Sequence, residues 1–169
     1  MIISGVERDY IIHDESNIRG FFAEYRWLSN YHECDVYFDG DLYGSTEAAY
    51  MAGKSTDTFV RTYFNKKNNI TPNEAKKLGR IITIRPDWDK IKYDVMSAVV
   101  FDKFYRNPEL REKLLETGNK HLSEDNHWDD KYWGVCDGKG ENALGKILMS
   151  VRTFWQHKDK DKDKPKQLF

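Results

Sequence analysis

The strongest structural signal in this 169-residue chain is a long amphipathic segment from about Asp87 to Arg106. Its apolar residues recur at the three- and four-residue spacing of a helix face, and they are Ile91, Val95, Ala98, Val99, Phe101 and Phe104. This pattern predicts a long central helix. The other segments must then pack around that helix, which favours a mainly α-helical fold.

Shorter elements are predicted on both sides of the central helix. Helices are expected over residues 46–54, 57–66, from 72 to about 79, from 108 to 118, and after 142. Ser45 and Asn142 are candidate N-caps, and Thr71-Pro72-Asn73-Glu74 is a capping box with proline at the first helical position. Asp39-Gly40 between β-forming residues indicates a hairpin. The expected fold class is α+β, mainly α, with a small hairpin or sheet in the first third.

The remaining segments define the expected domain limits. Residues 1–20 are predicted to form an irregular start or an edge strand. Residues 119–141 are predicted to form mostly a long loop, and loops of that length are usually functional or disordered. Residues 157–169 alternate Lys and Asp, so a charged, solvated tail is expected there, with a helical extension as the alternative. One domain over residues 1–156 is therefore predicted.

The composition excludes several classes of protein. Hydrophobic residues make up 39% of the chain and aromatic residues 14%, which is too apolar for a disordered protein. A formal net charge of −1 gives no global attraction to nucleic acid, although it is compatible with a local basic pocket for a phosphate. The two cysteines are expected to be free thiols. With no signal peptide and no membrane-length apolar run, we expect a cytoplasmic protein without membrane contact.

Four clusters of polar and aromatic residues are not explained by core packing. They are residues 27–31, Glu47 with Lys54, the basic run 75–80 with 85–88, and the segment 129–134 with Asn142. Glu47 and Lys54 are seven residues apart, so they would share one face of a helix. Such residues usually face solvent, but the small and apolar neighbours of this pair favour a buried helix, on which an unpaired charge is expensive.

The basic run and the acidic loop also leave two interpretations open. Lys and Arg near a helix end can simply interact with the helix dipole, or Arg80 or Arg85 can clamp a phosphate through bidentate hydrogen bonds. Asp130 precedes Trp133-Gly134 by three residues, which is a pattern that places a carboxylate beside an aromatic wall. The sequence shows no metal-ligand cluster, and no cofactor is expected.

Taken in order, these clusters resemble the NADAR (YbiA-like) N-glycosidase family over about residues 20–155. The matching motifs are Leu28-Ser29-Asn30-Tyr31, the Asp39-Gly40 hairpin, Ser45-x-Glu47-x-Ala49-Tyr50-x-Ala52-x-Lys54, Thr71-Pro72-x-Glu74-Ala75-Lys76-x-Leu78-Gly79-Arg80, Arg85-Pro86-Asp87-Trp88, Lys92 with Met96, Lys103-Phe104, Leu114-Leu115-x-Thr117-Gly118, Asp130-x-x-Trp133-Gly134, and Asn142-x-Leu144-Gly145-x-x-Leu148-Met149-x-x-Arg152.

The resemblance implies a compact YbiA-like fold and cleavage of N-glycosidic bonds in ribosyl compounds. One branch of the family is associated with phosphoribosyl-amine intermediates of riboflavin synthesis, and another removes ADP-ribose from modified guanine in nucleic acid. Two positions depart from the family pattern. Ala48 stands where the family often has His, and Met51 where it often has Gln, which leaves substrate choice open.

The expected partner is accordingly a small ribosyl phosphate or an ADP-ribosylated nucleobase, either free or within nucleic acid. Breaking a ribosyl C–N bond builds positive charge at the anomeric carbon, so the site needs carboxylates. Glu47 and Asp130 are the candidates, with acid and base unassigned. Lys54 offers a second route, by Schiff-base formation with ring-opened ribose.

Substrate binding is assigned to the other motif residues. Trp88 and Trp133 are expected to sandwich the base or the ribose, and Arg80, Ser29 and Asn30 to hold phosphate or hydroxyls. Gly134 and Asn142 complete the predicted site. The alternatives to an enzyme are a non-catalytic sensor of ADP-ribose or a nucleotide, and a structural domain in which these residues would be exposed and far apart.

Overall fold

A computed structural model describes residues 13–162, and the expectations for 1–12 and 163–169 lie outside the described residues. The strands are β1 (Asn17–Arg19), β2 (Glu33–Phe38), β3 (Asp41–Ser45), β4 (His121–Ser123), β5 (Asp125–Asn126) and β6 (Val135–Cys136). The helices are α1 (Thr46–Ala52), α2 (Thr58–Thr62), α3 (Pro72–Leu78), α4 (Trp88–Arg106), α5 (Pro108–Glu116) and α6 (Ala143–Lys162), with short 3₁₀ helices at Ala23–Leu28 and Lys66–Asn68. The mainly helical α+β class is confirmed.

The strands form three two-stranded pairs. The predicted hairpin is β2 with β3, antiparallel, and both Asp39 (φ 46°) and Gly40 (φ 93°) have the positive φ that a type I′ turn requires. In contrast, β1 pairs with β4 and β5 with β6, both in parallel. The segment 119–141 therefore contains strands that were not predicted, because strands of two or three residues are too short to show an alternating pattern.

The central helix has the predicted length but a slightly different buried face. α4 contacts β2, α1, α5 and α6. Its buried residues include Met96, Val100 and Lys103 in addition to Val95, Val99 and Phe104, whereas Ala98 is exposed. The buried face of α4 thus depends on several neighbouring elements. It includes Lys103, which an apolar pattern in the sequence does not predict to be buried.

Local capping signals are reproduced by the structure. The Ser45 hydroxyl accepts a hydrogen bond from the backbone N–H of Ala48 (3.1 Å) at the start of α1. In α3 the Thr71 hydroxyl accepts from Glu74 N–H (3.2 Å), and the Glu74 carboxylate accepts from Thr71 N–H (2.9 Å), which is a complete capping box. These bonds fix where two of the helices around the site begin.

Helix α1 ends earlier than predicted. Its last residue is Ala52, and the N–H of Gly53 donates to the carbonyl of Ala49 (3.1 Å). A Cβ at Gly53 would lie 2.8 Å from Val95, so the close approach of α4 requires glycine there. Lys54 therefore lies beyond the helix. Its position relative to Glu47 is not set by the helical spacing that the sequence predicts for this pair.

Other boundaries also differ from the prediction. α2 spans only Thr58–Thr62, and Phe59 and Tyr63, which its apolar pattern includes, are 67% and 50% exposed. α6 continues through Lys162 and so covers the first part of the predicted tail. Asn142 has φ 52°, and its side chain bonds to Glu124 N–H (3.1 Å) and Leu122 C=O (2.9 Å) instead of capping α6. Over residues 13–162 no helix combines the length and apolar character needed to cross a membrane.

Candidate active site

A cavity of ≈ 820 Å³ opens between the segment before β2, helices α1 and α3, the first half of α4, and the segment 124–133. Most of the predicted site residues line it, and they are Ser29, Asn30, Glu47, Lys54, Arg80, Trp88, Asp130 and Trp133. Gly134 and Asn142 are not part of this lining and lie behind the wall that carries Glu124. The structure therefore brings together side chains from four separate sequence motifs.

Glu47 occupies the first turn of α1, where its backbone N–H donates to the carbonyl of Asn30 (3.1 Å). Its side chain is only 6% exposed, and Oε1 lies 3.9 Å from Lys76 Nζ with no hydrogen-bond partner among the described residues. Burial raises the pKa of this carboxyl, while the positive charges of Lys76, Lys54 and Arg80 act in the opposite direction. Glu47 is thus a desolvated acid that faces cations.

Lys54 is half-buried at the same cavity. Its ammonium donates to the carbonyl of Gly79 (3.3 Å), and its own carbonyl accepts from Arg85 N–H (2.8 Å), which ties the residue to both ends of the basic segment. Burial lowers the pKa of Lys54, and Glu47 partly offsets this shift. The amine therefore loses its proton more readily than a surface lysine does.

Asp130 lines the same cavity and is held by a compact loop. Its Oδ1 accepts from the backbone N–H groups of Tyr132 (3.2 Å) and Trp133 (2.9 Å). The side chain of the fully buried Asn126 donates to Asp130 C=O (2.8 Å) and accepts from Asp130 N–H (3.0 Å). This arrangement fixes the direction of the carboxylate before any ligand arrives.

Aromatic rings form one side of the cavity. Tyr50 contacts both indoles, with ring centroids 5.0 Å from Trp88 and 5.5 Å from Trp133. Tyr132 packs on Trp133 at 4.7 Å. The two tryptophans, which were expected to sandwich a ligand, thus share Tyr50 as a neighbour and form a continuous wall with it. Burial, followed by the charge of Glu47, raises the pKa of Tyr50, so its hydroxyl stays protonated.

Basic side chains surround the rest of the cavity and outnumber the acids. Besides Lys54, these are Arg26, Lys76, Lys77, Arg80 and Lys92, against Glu47, Glu124 and Asp130. The Lys76 ammonium also lies 5.8 Å from the centroid of the Tyr31 ring. An excess of cations beside an aromatic wall suits a ligand that carries phosphate and a planar base.

Glu124 is the main residue that the sequence reasoning missed. It lines the cavity, and burial together with the charges of Asp130 and Glu47 raises its pKa to about 8. Its neighbours in the sequence are polar and typical of a loop, and the apolar Leu122, two residues earlier, is a weak signal for the strand that precedes it. Tyr50 also lines the cavity, although the motif that contains it predicts site roles only for Glu47 and Lys54. Residues 13–162 contain no group of three or more His, Cys, Asp or Glu side chains arranged to hold a metal ion.

The family model for the NADAR domain matches residues 16–155 of the chain. The chain belongs to the NADAR family. The solution structure of the Escherichia coli protein YbiA superposes with a TM-score of 0.74 at 27% identity, and the match covers 96% of each chain. The NADAR motifs identified in the sequence therefore correspond to a shared fold as well as to a shared sequence.

Named relatives agree with this NADAR membership. An N-glycosidase of Nostoc punctiforme is 37% identical over 134 residues, which are 76% of this chain and 84% of the relative. The N-glycosidase YbiA of Escherichia coli is 32% identical over 153 residues, 89% of this chain and 91% of the relative. A riboflavin biosynthesis protein of Vibrio vulnificus is 35% identical over 133 residues, which are 77% of this chain but only 35% of that protein. This NADAR protein is thus an enzyme of the N-glycosidase class.

Proposed function

We propose that the protein hydrolyses the N-glycosidic bond between a base and a ribose that carries a phosphate. The substrate is either a phosphoribosyl-aminopyrimidine or an ADP-ribosyl adduct of guanine. The observation that carries the proposal is the pairing, in one cavity, of a buried carboxylate and a desolvated amine with an aromatic wall and an excess of basic side chains.

The charge pattern of the cavity supports a phosphorylated ligand. Arg80 and Lys77 are exposed at its edge, and Lys76 lies between this edge and Glu47. A phosphate bound to these groups would leave the ribose facing the inner carboxylates. The Tyr50–Trp88–Trp133 wall offers planar surfaces for the base.

The inner groups can stabilise the charge that develops as the bond breaks. Loss of the base leaves positive charge on the anomeric carbon, and Glu47 and Asp130 are the carboxylates that can face it. If water attacks, the products are the free base and ribose phosphate. If Lys54 attacks, its amine replaces the base at the anomeric carbon. The ring C–O bond then breaks to give an imine and a free sugar hydroxyl, and water hydrolyses the imine to return the lysine.

The proposal is tested by incubating the pure protein with phosphoribosyl-aminopyrimidine and, separately, with ADP-ribosylated guanosine. Mass spectrometry should show the free base and the ribose phosphate from at least one of them. Glu47→Gln is the matched inactive variant, because it keeps the shape but not the charge. Tight binding of both compounds without any product would contradict the proposal and favour a non-catalytic sensor.

A further inference from the structure

Glu124 lies at the cavity between β4 and β5, and neither the motifs nor the proposed acid and base pair accounts for it. Its backbone is held on both sides. The N–H donates to Asn142 Oδ1 (3.1 Å), and the C=O accepts from Val135 N–H (3.0 Å) and from Asn126 Nδ2 (3.3 Å). Three other residues thus hold the backbone of Glu124 in place.

The lack of a side chain at Gly134 lets the backbone of residue 134 approach Glu124 and Asn126 closely. A Cβ at this position would lie 2.2 Å from the Glu124 carbonyl oxygen and 2.6 Å from Asn126 Nδ2. Asn142 bonds to Leu122 C=O (2.9 Å) as well as to Glu124 N–H. The two predicted site residues outside the lining are therefore explained as supports for Glu124.

The side chain of Glu124 is partly exposed to the cavity. The charged groups that face it are Asp130 and Glu47, both negative, and Lys76, which is positive and has the weakest effect of the three. Burial and the two acids raise the pKa of Glu124 to about 8, so it carries its proton at neutral pH. A neutral carboxylic acid aimed into a cavity is a proton donor.

We propose that Glu124 is the general acid that protonates the leaving nitrogen in the reaction proposed above. As the C–N bond breaks, the Glu124 proton moves to the nitrogen, the bonding electrons leave with the base, and a Glu124 carboxylate remains near Lys76. Water then adds to the anomeric carbon, and one of its protons returns to Glu124. The donation to the base is the same if Lys54 attacks first. This inference rests on the proposed function.

The test compares two ribose 5-phosphate substrates that differ only in the leaving group. An aminopyrimidine leaves as an amine and needs a proton. A pyridinium base, as in nicotinamide mononucleotide, leaves as a neutral molecule and needs none. Glu124→Gln should lower kcat/KM for the aminopyrimidine substrate by about 10²–10⁴-fold, the usual contribution of a general acid. The loss on the pyridinium substrate should stay below about tenfold. Asp125→Asn, the neighbouring carboxylate outside the cavity lining, is the control.

A pH profile provides a second measurement on the aminopyrimidine substrate. The wild-type rate should fall as the pH rises through about 8, and this limb should be absent from Glu124→Gln. Equal losses on the two leaving groups, or an unchanged basic limb in the variant, would overturn the role of Glu124 while leaving the glycosidase activity in place. A wild-type protein that cleaves neither of these substrates nor ADP-ribosylated guanosine would instead overturn the proposed function and this inference together.

Discussion

Lys54 combines two properties that a covalent nucleophile needs, because its amine is partly desolvated and lies in the same cavity as a buried carboxylate. The bond to Gly79 C=O holds the amine at one point of the wall. These properties derive from the turn after α1 and from the segment that precedes α4, since Lys54 is not part of the helix.

Replacing Lys54 separates the covalent route from simple water attack. Lys54→Arg should abolish turnover without unfolding the protein, because a guanidinium stays protonated and cannot attack carbon. Borohydride added during turnover should trap a ribosyl adduct on Lys54 in the wild type, detectable by peptide mass spectrometry. Lys90→Arg, on the exposed part of α4, is the control. A near-wild-type rate for Lys54→Arg, with no trapped adduct, would leave the reaction to water and the carboxylates.

Arg80 is expected to contribute to binding and not to the chemical step. Arg80→Glu should raise KM about tenfold or more with a smaller change in kcat, since a hydrogen bond to a charged group is worth about 1.5–3 kcal/mol. The measurement is steady-state kinetics at fixed ionic strength. Lys67→Glu, an equally exposed charge reversal outside the cavity, is the control. An unchanged KM would exclude Arg80 from phosphate binding.

At the scale of elements, the site depends on helix α3 and on the segment that joins β4 to β6. α3 carries Lys76 toward Glu47, and its start is fixed by the Thr71–Glu74 capping box. The second segment has few apolar residues, so side-chain hydrogen bonds from Asn126 and Asn142 replace a hydrophobic core there. Both elements therefore support the site through a small number of specific bonds.

The capping box of α3 can be weakened without touching the cavity. Thr71→Ala removes the hydroxyl that accepts from Glu74 N–H, and it should lower the free energy of unfolding by about 1 kcal/mol. Denaturant unfolding measures the change. Thr58→Ala, at the first residue of α2, is the comparison, because Asp57 and not Thr58 caps that helix. Equal effects of the two substitutions would show that the box adds no stability.

Gly134 leaves no space for a side chain, because a Cβ there would lie 2.2 Å from the Glu124 carbonyl oxygen. Gly134→Ala should lower the free energy of unfolding by about 1–3 kcal/mol, the usual cost of overpacking, and should also reduce kcat by displacing Glu124. Thermal unfolding and rate measurements test the two effects. Gly44→Ala is a matched control, since the nearest atom to its Cβ would be 4.0 Å away. A Gly134→Ala protein with wild-type kcat would contradict the support role of this segment.

At the scale of the whole molecule, the cavity places like charges together at the expense of stability. Glu47, which is buried, and Glu124, which is partly exposed at the cavity, both have raised pKa values, and both shifts arise first from desolvation. A raised carboxyl pKa means that the folded state binds a proton that the unfolded state has already lost. For each carboxyl, the free energy of unfolding must therefore fall as the pH rises from its pKa in the unfolded state to its pKa in the folded state.

The contribution of Glu124 to this pH dependence can be measured by comparing the wild type with Glu124→Gln. Its pKa moves from the ordinary 4.5 to about 8, so the loss of stability begins near pH 4.5 and is complete near pH 8. Glu124→Gln should match the wild type at pH 4.5 and should be more stable at pH 8, on the order of 1–2 kcal/mol once screening in the open cavity is allowed for. Denaturant unfolding at the two pH values tests this. The same stability difference at both pH values would contradict a raised pKa at Glu124.

Local signals were sufficient for much of this architecture. The hairpin at Asp39-Gly40, the Ser45 cap, the α3 capping box and the extent of α4 are all encoded by residues that are near neighbours in the chain. Such features depend on backbone torsion and short-range hydrogen bonds, which a sequence displays directly. The family membership was predicted in the same way, from motifs that keep their order, and it is confirmed.

Long-range packing decided the features that give the site its chemistry. Lys54 lies in the cavity because the chain leaves α1 at Gly53, where α4 approaches closely. Glu124 becomes an acid with a pKa of about 8 because the fold desolvates it and places two further carboxylates beside it, Asp130 from the same segment and Glu47 from a distant helix. Desolvation and charge proximity are properties of the assembled fold, so no pattern within a short segment could reveal them.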